Sequence, residues 1–423
     1  MRIAHFPSNF LPEVGGAEIV VHNLALQQHN RGHDVSVIAP SWRSWSVTTP
    51  YRIVPLIPST LKHLVKRSHD SAVSRIVTMQ LWLYQQFFRF DIWHIHMIYP
   101  AGVAACPMLR KSGIPSVATC HGSDIQVLPS IGYGLRLNPA LDRMITESLK
   151  QYDVVTALNR NIRNQYLLLG IDAAKIRDIP NGIDFPRIQS TSANRSATRW
   201  QWSIPLDKFA ILSVGRNHPV KGLDVIPRVI EKLAEQRVDF VWVVVGDGVE
   251  ALSQKAESMG LGAFLRTIPR IVGDHAKPTD TRRTMTADWL HKLHRPTALA
   301  DFPPGPLIRL YKACDLFVFP SLIESFGVAQ IEAMSVGLPV VASDVPGCQD
   351  IVGHGKNGFL VPAGDVRGYA EQIAKLIESP HLLHEMGRNA VETARRFEWR
   401  DISAKYCEIY EELVGGHCDQ EPR

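Results

Sequence analysis

Two acids stand out in the segment PSLIESFGVAQIEAMSVGLPVVAS: Glu324 and Glu332, with seven residues between them. If Glu332 lies on a helix that follows Glu324, a rise of 1.5 Å per residue separates the two by up to about 12 Å. That distance is too long for carboxylates that share a proton, and it suits contacts with the two ends of an extended ligand. Helix capping by Glu324 and a salt bridge of Glu332 explain the residues equally well.

Two cations, Arg216 and Lys221, follow an apolar run in the segment SVGRNHPVKGLDV. A planar guanidinium and a compact ammonium at the end of one strand can clamp a diphosphate. Each residue alone is an ordinary surface cation. Together with the two glutamates, they favour a ligand-binding interpretation.

Backbone groups offer further contacts at two places. The amides of Phe326, Gly327 and Val328, at the start of the expected helix, can bind a phosphate. Gly15 and Gly16 open the first helix, where the missing Cβ lets a ligand approach the backbone, although a tight turn explains them equally well. The chain has neither a Walker pattern nor a complete GxGxxG, so ATP hydrolysis and ordinary dinucleotide binding are poorly supported.

The segment HGSD, from His121 to Asp124, directly follows the apolar run PSVATC. A histidine and an aspartate at a strand end can bind sugar hydroxyls or polarise a reacting group. A histidine that donates to a backbone carbonyl is the plain alternative. We expect His94 and His96, in IWHIHM, to be strand-face residues, because the chain has no HExxH or comparable metal-binding spacing.

The elements that must position these residues alternate between strand and helix. The first forty residues contain a strand, a Gly-bearing loop, a helix and a second strand, the parts of a βαβ unit. The predicted strands are RIAHFP, HDVSVIAP, IWHIHM, PSVATCH, DVVTAL, AILSVG, FVWVVVGDG, DLFVFPS and LPVVAS. This alternation predicts parallel sheets covered by helices, with the chemistry in the loops after the strands. We expect a helix over 325–336 and a linker over 186–202.

The amino-acid composition indicates which broad class of protein the chain belongs to and where it works. With 45% hydrophobic residues, 21% charged residues and a net charge of only +5, the chain is typical of a globular protein and not of a nucleic-acid binder. Six cysteines without a CxxC pair indicate a reducing compartment. Neither a signal peptide nor an apolar run of about 18 residues is present, so we expect a cytoplasmic protein.

The stretch 61–90 offers a candidate membrane surface, because it contains the basic LKHLVKR and the aromatic LWLYQQFF. Such a pair of segments can lie on an anionic membrane and make the protein peripheral at its inner face. A crossover helix packed on the first domain is the alternative. Charge reversal at Lys62, Lys66 and Arg67 distinguishes the two.

The GG loop, HGSD, PNGID, VGR…KG, VVVGDG and the Glu pair, in this order, resemble the motifs of the retaining GT-B glycosyltransferases of family 4. The resemblance extends over roughly residues 1–410. It implies an α/β fold of the GT-B class, with two Rossmann-like domains whose parallel sheets face across a central cleft. The implied domains are 1–186 for the acceptor, 187–395 for the donor with an insertion near 266–308, and a helix at 396–415 that crosses back to the first domain.

The resemblance also implies a substrate and roles. The donor would be a UDP- or GDP-linked sugar, with Glu332 on the ribose hydroxyls and Glu324 on the sugar hydroxyls. Arg216 and Lys221 would neutralise the leaving diphosphate, a charge that grows in the transition state, and the amides of 326–328 would assist.

His121 would contact the donor sugar near its anomeric carbon, and Asp124 would contact the sugar or the acceptor. Gly15 and Gly16 would let the diphosphate and the acceptor pack closely. Same-face attack would retain the anomeric configuration without a protein nucleophile, metal ion or cofactor. The acceptor would be a saccharide or a lipid-linked saccharide, in the synthesis of a cell-surface polysaccharide or glycolipid.

Two alternatives stay open at this point: a sugar-nucleotide epimerase of the same fold and a non-catalytic subunit that binds nucleotide sugars or carbohydrate. The presence of Glu324, Arg216 and Lys221 favours transfer over both. A glycoside hydrolase needs two carboxylates about 5 to 9.5 Å apart, and the Glu pair is too widely spaced. The insertion at 266–308 departs from the family pattern, so it leaves the donor base and cleft closure open.

Overall fold

The computed structural model describes residues 1–40, 44, 47–56, 71–271 and 301–418. Within these ranges the chain divides into two compact units. The first comprises residues 1–181 and the segment that begins at Trp399, and the second lies between Gly182 and Glu398. Most of the predicted insertion and the basic LKHLVKR lie outside the described residues.

The first unit is built on a parallel sheet. Its described strands are β1 (Arg2–Pro7), β2 (Asp34–Ala39), β3 (Arg52–Pro55), β4 (Ile92–His96), β5 (Ser116–Thr119), β6 (Val154–Ala157) and β7 (Ile176–Asp178). They pair in the order β3-β2-β1-β4-β5-β6-β7. The order reverses between β1 and β4, and ligands of open α/β sheets bind at such a switch point.

Helices connect the strands of the first unit. Those described are α1 (Gly16–Asn30), α2 (Ser71–Phe88), α3 (Val103–Ser112), α4 (Pro139–Leu149) and α5 (Arg160–Leu168). Register fixes which side chains meet: β1 places His5 beside His94 of β4, and β4 places His96 beside Thr119 of β5. Polar side chains are therefore brought together within the buried sheet.

The second unit repeats the same plan. Its described strands are β8 (Phe209–Val214), β9 (Phe240–Val245), β10 (Leu265–Ile268), β11 (Leu316–Phe319), β12 (Val340–Ser343) and β13 (Gly358–Val361). They form a parallel sheet in the order β10-β9-β8-β11-β12-β13, so the switch point lies between β8 and β11. The expected α/β class with two Rossmann-like units is confirmed.

Two helices of the second unit precede its first strand, and the others follow its strands. Those described are α6 (Phe185–Ser190), α7 (Arg195–Gln201), α8 (Ile226–Glu235), α9 (Glu250–Ser258), α10 (Gly305–Ala313), α11 (Val328–Ser335), α12 (Pro346–Gln349), α13 (Val366–Glu378) and α14 (Pro380–Arg395). The final helix, α15 (Trp399–Cys418), belongs to the first unit. There the Tyr410 hydroxyl lies 2.5 Å from His94 Nδ1.

Apolar patterning explains how these elements pack. Every residue of β9, FVWVVV, is buried, as expected for a central parallel strand covered on both faces. On α8, Ile226, Val229, Ile230 and Leu233 are buried at the i, i+3, i+4, i+7 spacing of an amphipathic helix. Among the described helices, none is both long enough and apolar enough to span a bilayer.

Two predictions about local structure are wrong. The segment 186–202 was expected to be a linker, but it contains α6 and α7, which the side chains of Asp184 and Asn194 cap. The helix expected to begin at Ser325 begins at Val328, because Gly327 adopts a left-handed backbone with φ of 78°. A left-handed residue ends the run of helical dihedrals, so it lies before the helix.

Candidate active site

An ion pair joins two loops of the second unit. Lys221 lies in the loop after β8 and Glu324 in the loop after β11, the two strands that flank the switch point. The Lys221 Nζ donates to Glu324 Oε2 at 2.6 Å, and the side chains are only 23% and 11% exposed. Two residues singled out from the sequence are thus brought into contact.

Glycines make this approach sterically feasible. Gly222, with φ of +59°, has no room for a side chain, because a Cβ there would lie 2.1 Å from the carbonyl oxygen of Pro320. A Cβ on Gly347 would lie 2.4 Å from the carbonyl oxygen of Glu324. These two glycines let the backbone pack against the loop that carries Glu324. The role of Gly222 and Gly347 was not predicted from the sequence, although Pro346–Gly347 is a turn signal.

Further hydrogen bonds orient the Glu324 carboxylate. Its Oε1 accepts from the amide of Ser325 at 3.1 Å, and the Ser321 hydroxyl lies 3.5 Å from Oε2. Arg216 lies in the same loop as Lys221 and is exposed, and it forms no ion pair within the described ranges. The site therefore holds one cation that is neutralised by a carboxylate and one that is available to an anion.

Glu332 lies on α11 and has different partners from Glu324. The Tyr311 hydroxyl of α10 donates to Glu332 Oε2 at 3.0 Å. Burial raises the pKa of Glu332 from 4.5 to about 7, an effect that the hydrogen bond from Tyr311 and the positive charge of Arg187 oppose. The carboxyl is therefore poised between its neutral and charged forms near neutral pH.

The later start of α11 changes which amides are available for a phosphate. Phe326 and Gly327 precede the helix, and Phe326 is buried. Gly327 is the N-cap and Val328 is the first helical residue, so the amides of both lack an intrahelical partner, whereas Phe326 lies one residue earlier. Phosphate binding by these amides stays a prediction.

In the first unit, Asp124 holds the loop that carries His121. Asp124 Oδ1 accepts from the amides of His121 and Gly122 at 3.1 and 3.0 Å, and Oδ2 accepts from the amide of Ile98 at 2.9 Å. Burial raises the pKa of this carboxyl, against the effect of the hydrogen bonds. The side chain is fully buried and also interacts with the Cys120 thiol. A direct contact with a sugar stays a prediction.

His121 also ends a chain of hydrogen-bonded side chains, which we call the histidine chain: Gln28, His5, His96 and His121. Gln28 Oε1 lies 2.6 Å from His5 Nε2, His5 Nδ1 lies 3.0 Å from His96 Nε2, and His96 Nδ1 lies 3.1 Å from His121 Nε2. Of these four residues, only His121 was predicted from the sequence to be functional. His5 and Gln28 carry no recognisable sequence signal, because the sheet register and α1 bring them together.

Three histidines come close enough to suggest a metal site. The ligating atoms of His5, His94 and His96 lie within 4.8 Å of one another, and all three residues are buried. Both ring nitrogens of each already have a hydrogen-bond partner, since His94 contacts Tyr410 and Thr119. A metal ion would have to displace these partners, so the geometry fits a hydrogen-bonded network better than a ligand set.

Gly15 and Gly16 lie at the start of α1, as expected. Gly15 is the N-cap, and a Cβ there would meet Glu18 Oε2 at 2.5 Å, the flexible end of a side chain. A Cβ on Gly16 would meet nothing within 4 Å. Packing within the protein therefore does not require glycine at position 16, whereas a close ligand would.

Family models match both units of the chain. The model described as Glycosyltransferase Family 4 matches residues 14–187, and the model described as Glycosyl transferases group 1 matches residues 194–278 and 299–393.

Two curated relatives are similar over most of the chain. D-inositol 3-phosphate glycosyltransferase 2 of Catenulispora acidiphila is 29% identical over 77% of this chain and 71% of its own length. N-acetyl-alpha-D-glucosaminyl L-malate synthase of Bacillus anthracis is 25% identical over 95% of both chains.

Solved structures share the fold. Sucrose-phosphate synthase from Thermosynechococcus elongatus has a TM-score of 0.76 at 19% identity, with 98% of this chain and 99% of the other covered. Anabaena HepE in complex with UDP has a TM-score of 0.72 at 21% identity, with 98% and 100% covered. With both units matched by family models and the whole fold shared, the chain belongs to the family 4 glycosyltransferases of the GT-B fold.

Proposed function

We propose that this glycosyltransferase moves a sugar from a UDP- or GDP-linked donor to a saccharide or lipid-linked acceptor, with retention of anomeric configuration and without a metal ion. The observation that carries the proposal is the Lys221–Glu324 pair beside exposed Arg216 at the switch point of the second unit. Anabaena HepE has been solved with UDP and with UDP-glucose, which supports a nucleotide-sugar donor.

The cations act on the leaving group. As the bond from the anomeric carbon to the phosphate oxygen breaks, its electron pair passes to the diphosphate, whose negative charge grows. Arg216 and Lys221 stabilise that developing charge, and stabilisation that is stronger in the transition state than in the ground state raises the rate. The amide of Val328 at the start of α11 provides a further donor.

The carboxylates hold the two ends of the donor. Glu324, oriented by Lys221 and by the Ser325 amide, accepts hydrogen bonds from sugar hydroxyls. Glu332 accepts from the ribose hydroxyls, and these bonds favour its charged form. In this way binding of the nucleotide compensates for the cost of a buried carboxylate.

Retention follows when the acceptor attacks from the face that the diphosphate leaves. The acceptor oxygen forms the new bond to the anomeric carbon, and its proton passes to the departing phosphate oxygen. In this proposal, His121 accepts a hydrogen bond from a sugar hydroxyl. No protein nucleophile takes part in this route.

A second part of the proposal concerns the acceptor. On α2, the apolar side chains Ile76, Met79, Leu83 and Phe87 are 42%, 56%, 49% and 81% exposed, at helical spacing. The basic LKHLVKR precedes this helix in the sequence. We infer that α2 contacts an anionic membrane surface, where a lipid-linked acceptor would be presented.

A donor screen tests the function. The purified protein is mixed with UDP-, GDP-, ADP- and TDP-sugars, and thermal shift and slow donor hydrolysis are followed for the wild type and Glu332→Gln. We expect stabilisation by one nucleotide sugar, loss of that effect in the variant, and no change on addition of EDTA. The sugar released first, read by NMR before it mutarotates, should have the anomeric configuration of the donor.

Other outcomes identify the alternatives. Conversion of the donor sugar to its epimer would indicate an epimerase. Binding without hydrolysis or transfer would indicate a non-catalytic subunit, and no shift with any donor would contradict the donor site itself.

A further inference from the structure

We propose that Gln28, acting through His5 and His96, determines which ring nitrogen of His121 carries the proton. In this arrangement His121 presents its Nδ1 lone pair as a hydrogen-bond acceptor. The assignment of that lone pair to a sugar hydroxyl rests on the proposed function, whereas the coupling along the histidine chain does not. Gln28, His5 and His96 are positioning residues in this proposal.

The rings of the histidine chain are neutral at pH 7. Burial lowers the pKa of His5 and of His121 from 6.5 to about 4, and it lowers that of His96 well below 6.5. A neutral imidazole carries one N–H and one lone pair. Each ring therefore donates on one side and accepts on the other, and the direction of one hydrogen bond fixes the next.

The protons can be followed along the histidine chain from Gln28. Its carbonyl Oε1 can only accept, so His5 donates from Nε2 at 2.6 Å and keeps a lone pair on Nδ1. That lone pair accepts from His96 Nε2 at 3.0 Å, and His96 Nδ1 then accepts from His121 Nε2 at 3.1 Å. His121 is left with its proton on Nε2 and a lone pair on Nδ1.

The opposite orientation of the Gln28 amide would reverse every step. With the amide nitrogen facing His5, each proton would move to the other side of its ring, and His121 would carry the proton on Nδ1. The hydrogen bond from His5 Nε2 to Gln28 Oε1 holds the amide in this orientation, and the Gln28 side chain also interacts with that of Tyr410.

A second network surrounds His94, whose ring is tilted against that of His96 with centroids 4.0 Å apart. His94 Nδ1 lies 2.5 Å from the Tyr410 hydroxyl, and its Nε2 lies 2.7 Å from the Thr119 hydroxyl. The ring nitrogens of His94 bond to none of the other three histidines, and the two networks meet at Tyr410, which interacts with both His94 and Gln28.

Only His121 of the histidine chain retains partial exposure, whereas Gln28, His5 and His96 are buried. A half-buried neutral ring whose Nδ1 has no hydrogen-bond partner among the described residues is suited to accept a hydrogen bond from a hydroxyl. It is not suited to act as a cationic acid. The orientation of the buried Gln28 amide on α1 thus sets the position of the proton on His121, at the end of β5.

The test is the tautomer of His121, measured by ¹⁵N NMR of histidine-labelled protein. The His121 signals are assigned by their loss in His121→Asn. In the wild type we expect the proton on Nε2. In Gln28→Leu, no acceptor holds the proton on His5 Nε2, and either proton arrangement of the three rings leaves one buried His5 nitrogen without a partner, so the preference for one arrangement is lost. We therefore expect His121 to shift towards the Nδ1–H form.

Gln27→Leu is the matched control, because Gln27 is the half-buried neighbour on α1 and contributes only its backbone to the described hydrogen bonds. Its spectrum should equal that of the wild type. If Gln28→Leu reduces the yield of folded protein, Gln28→Met gives the same loss of the acceptor with a more flexible side chain. An identical His121 tautomer in the wild type and the Gln28 variant would overturn the coupling, and a wild-type proton on Nδ1 would overturn its direction.

Activity provides a separate readout. Gln28→Leu should lower kcat/KM for transfer about tenfold, the size of one lost hydrogen bond, while Gln27→Leu leaves it unchanged. A shifted tautomer with unchanged transfer would overturn the acceptor role of Nδ1. Absence of transfer in the wild type itself would contradict the proposed function and leave the NMR result to decide the coupling.

Discussion

Lys221 Nζ lies 2.6 Å from Glu324 Oε2, although 103 residues separate the two in the chain. The parallel neighbours β8 and β11 end at the same edge of the sheet, so the loops that follow them meet. Each residue partly neutralises the charge that the other would otherwise bury. The same contact orients the carboxylate and positions the ammonium before any ligand binds.

Lys221→Met tests this relationship. It leaves a largely buried carboxylate without its cation, so we expect a loss of about 1–3 kcal/mol in the free energy of unfolding. We also expect transfer to fall about 10²–10³-fold, as for the loss of one group that stabilises transition-state charge. Denaturant unfolding and initial rates measure the two effects.

Lys208→Met is a closely matched control. Lys208 pairs with Asp239 at 3.2 Å and lies 5.7 Å from the centroid of the Phe264 ring, as Lys221 lies 5.1 Å from that of Phe319. Because Asp239 is 67% exposed, this pair should contribute less than about 1 kcal/mol. Equal losses in the two variants would contradict a special role for the Lys221–Glu324 pair.

Glu332 provides a prediction about pH. Its pKa of about 7 in the folded protein exceeds the ordinary 4.5, so the folded state binds more protons than the unfolded state between these values. Stability from this group is therefore present at low pH and lost as the pH rises through 7. Glu332→Gln keeps an acceptor for the Tyr311 hydroxyl and cannot ionise.

The variant should therefore be more stable than the wild type at pH 8, by on the order of 3 kcal/mol, and the difference should shrink towards pH 4.5. Denaturant unfolding across this range measures it. Glu231→Gln, at an exposed position of α8, should follow the wild-type curve. A constant difference between Glu332→Gln and the wild type at all pH values would show that the carboxyl does not titrate in this window.

The strands show how much of the fold can be predicted from sequence patterns. All nine predicted strands are present, whereas β3, β7, β10 and β13 were not predicted. These four are the edge strands of the two sheets. Central parallel strands are buried on both faces and form continuous apolar runs, whereas β3, β7 and β10 each contain an arginine. The fourth edge strand, β13, is the apolar run GFLV and was missed without such a reason. Sequence alone therefore predicts the middle of each sheet better than its edges.

Some site residues could likewise be predicted from the sequence, and others could not. Lys221 and Glu324 could be predicted because their motifs lie directly after apolar runs, which places them at strand ends. Gln28 and His5 could not, because their contact depends on how α1 packs and on the register of β1. The start of α11 was misplaced because nothing in the segment SFGVAQ shows that Gly327 has a positive φ.

Gly222→Ala tests the packing of the loop that carries Lys221. At φ of +59° and with a carbonyl oxygen 2.1 Å from the added Cβ, the methyl group must displace backbone. We expect a loss of about 1–3 kcal/mol in the free energy of unfolding. We also expect transfer activity to fall about as much as in Lys221→Met. Gly215→Ala is the control, because its Cβ would meet only the Lys221 side chain at 3.7 Å. Unchanged stability in Gly222→Ala would show that the loop adapts.

The membrane surface is tested by vesicle flotation with anionic lipid. Phe87→Ser removes an apolar side chain that is 81% exposed on α2, and Leu168→Ser removes one that is 80% exposed on α5. We expect only the first to weaken binding, because no basic run like LKHLVKR precedes α5 in the sequence. Equal binding by both variants and the wild type, or no binding by the wild type, would contradict the surface on α2.

Gly16→Ala tests whether glycine at this position is required for folding or for the close approach of a substrate. A Cβ at this position meets nothing within 4 Å, and alanine favours a helix over glycine, so we expect unchanged or slightly raised thermal stability. If the diphosphate or the acceptor packs against the start of α1, the methyl group occupies its space and transfer should fall about tenfold or more. Gly415→Ala, also helical and open, should change neither property. Full activity in Gly16→Ala would show that no substrate approaches this backbone closely, and that Gly16 serves only the turn into the helix.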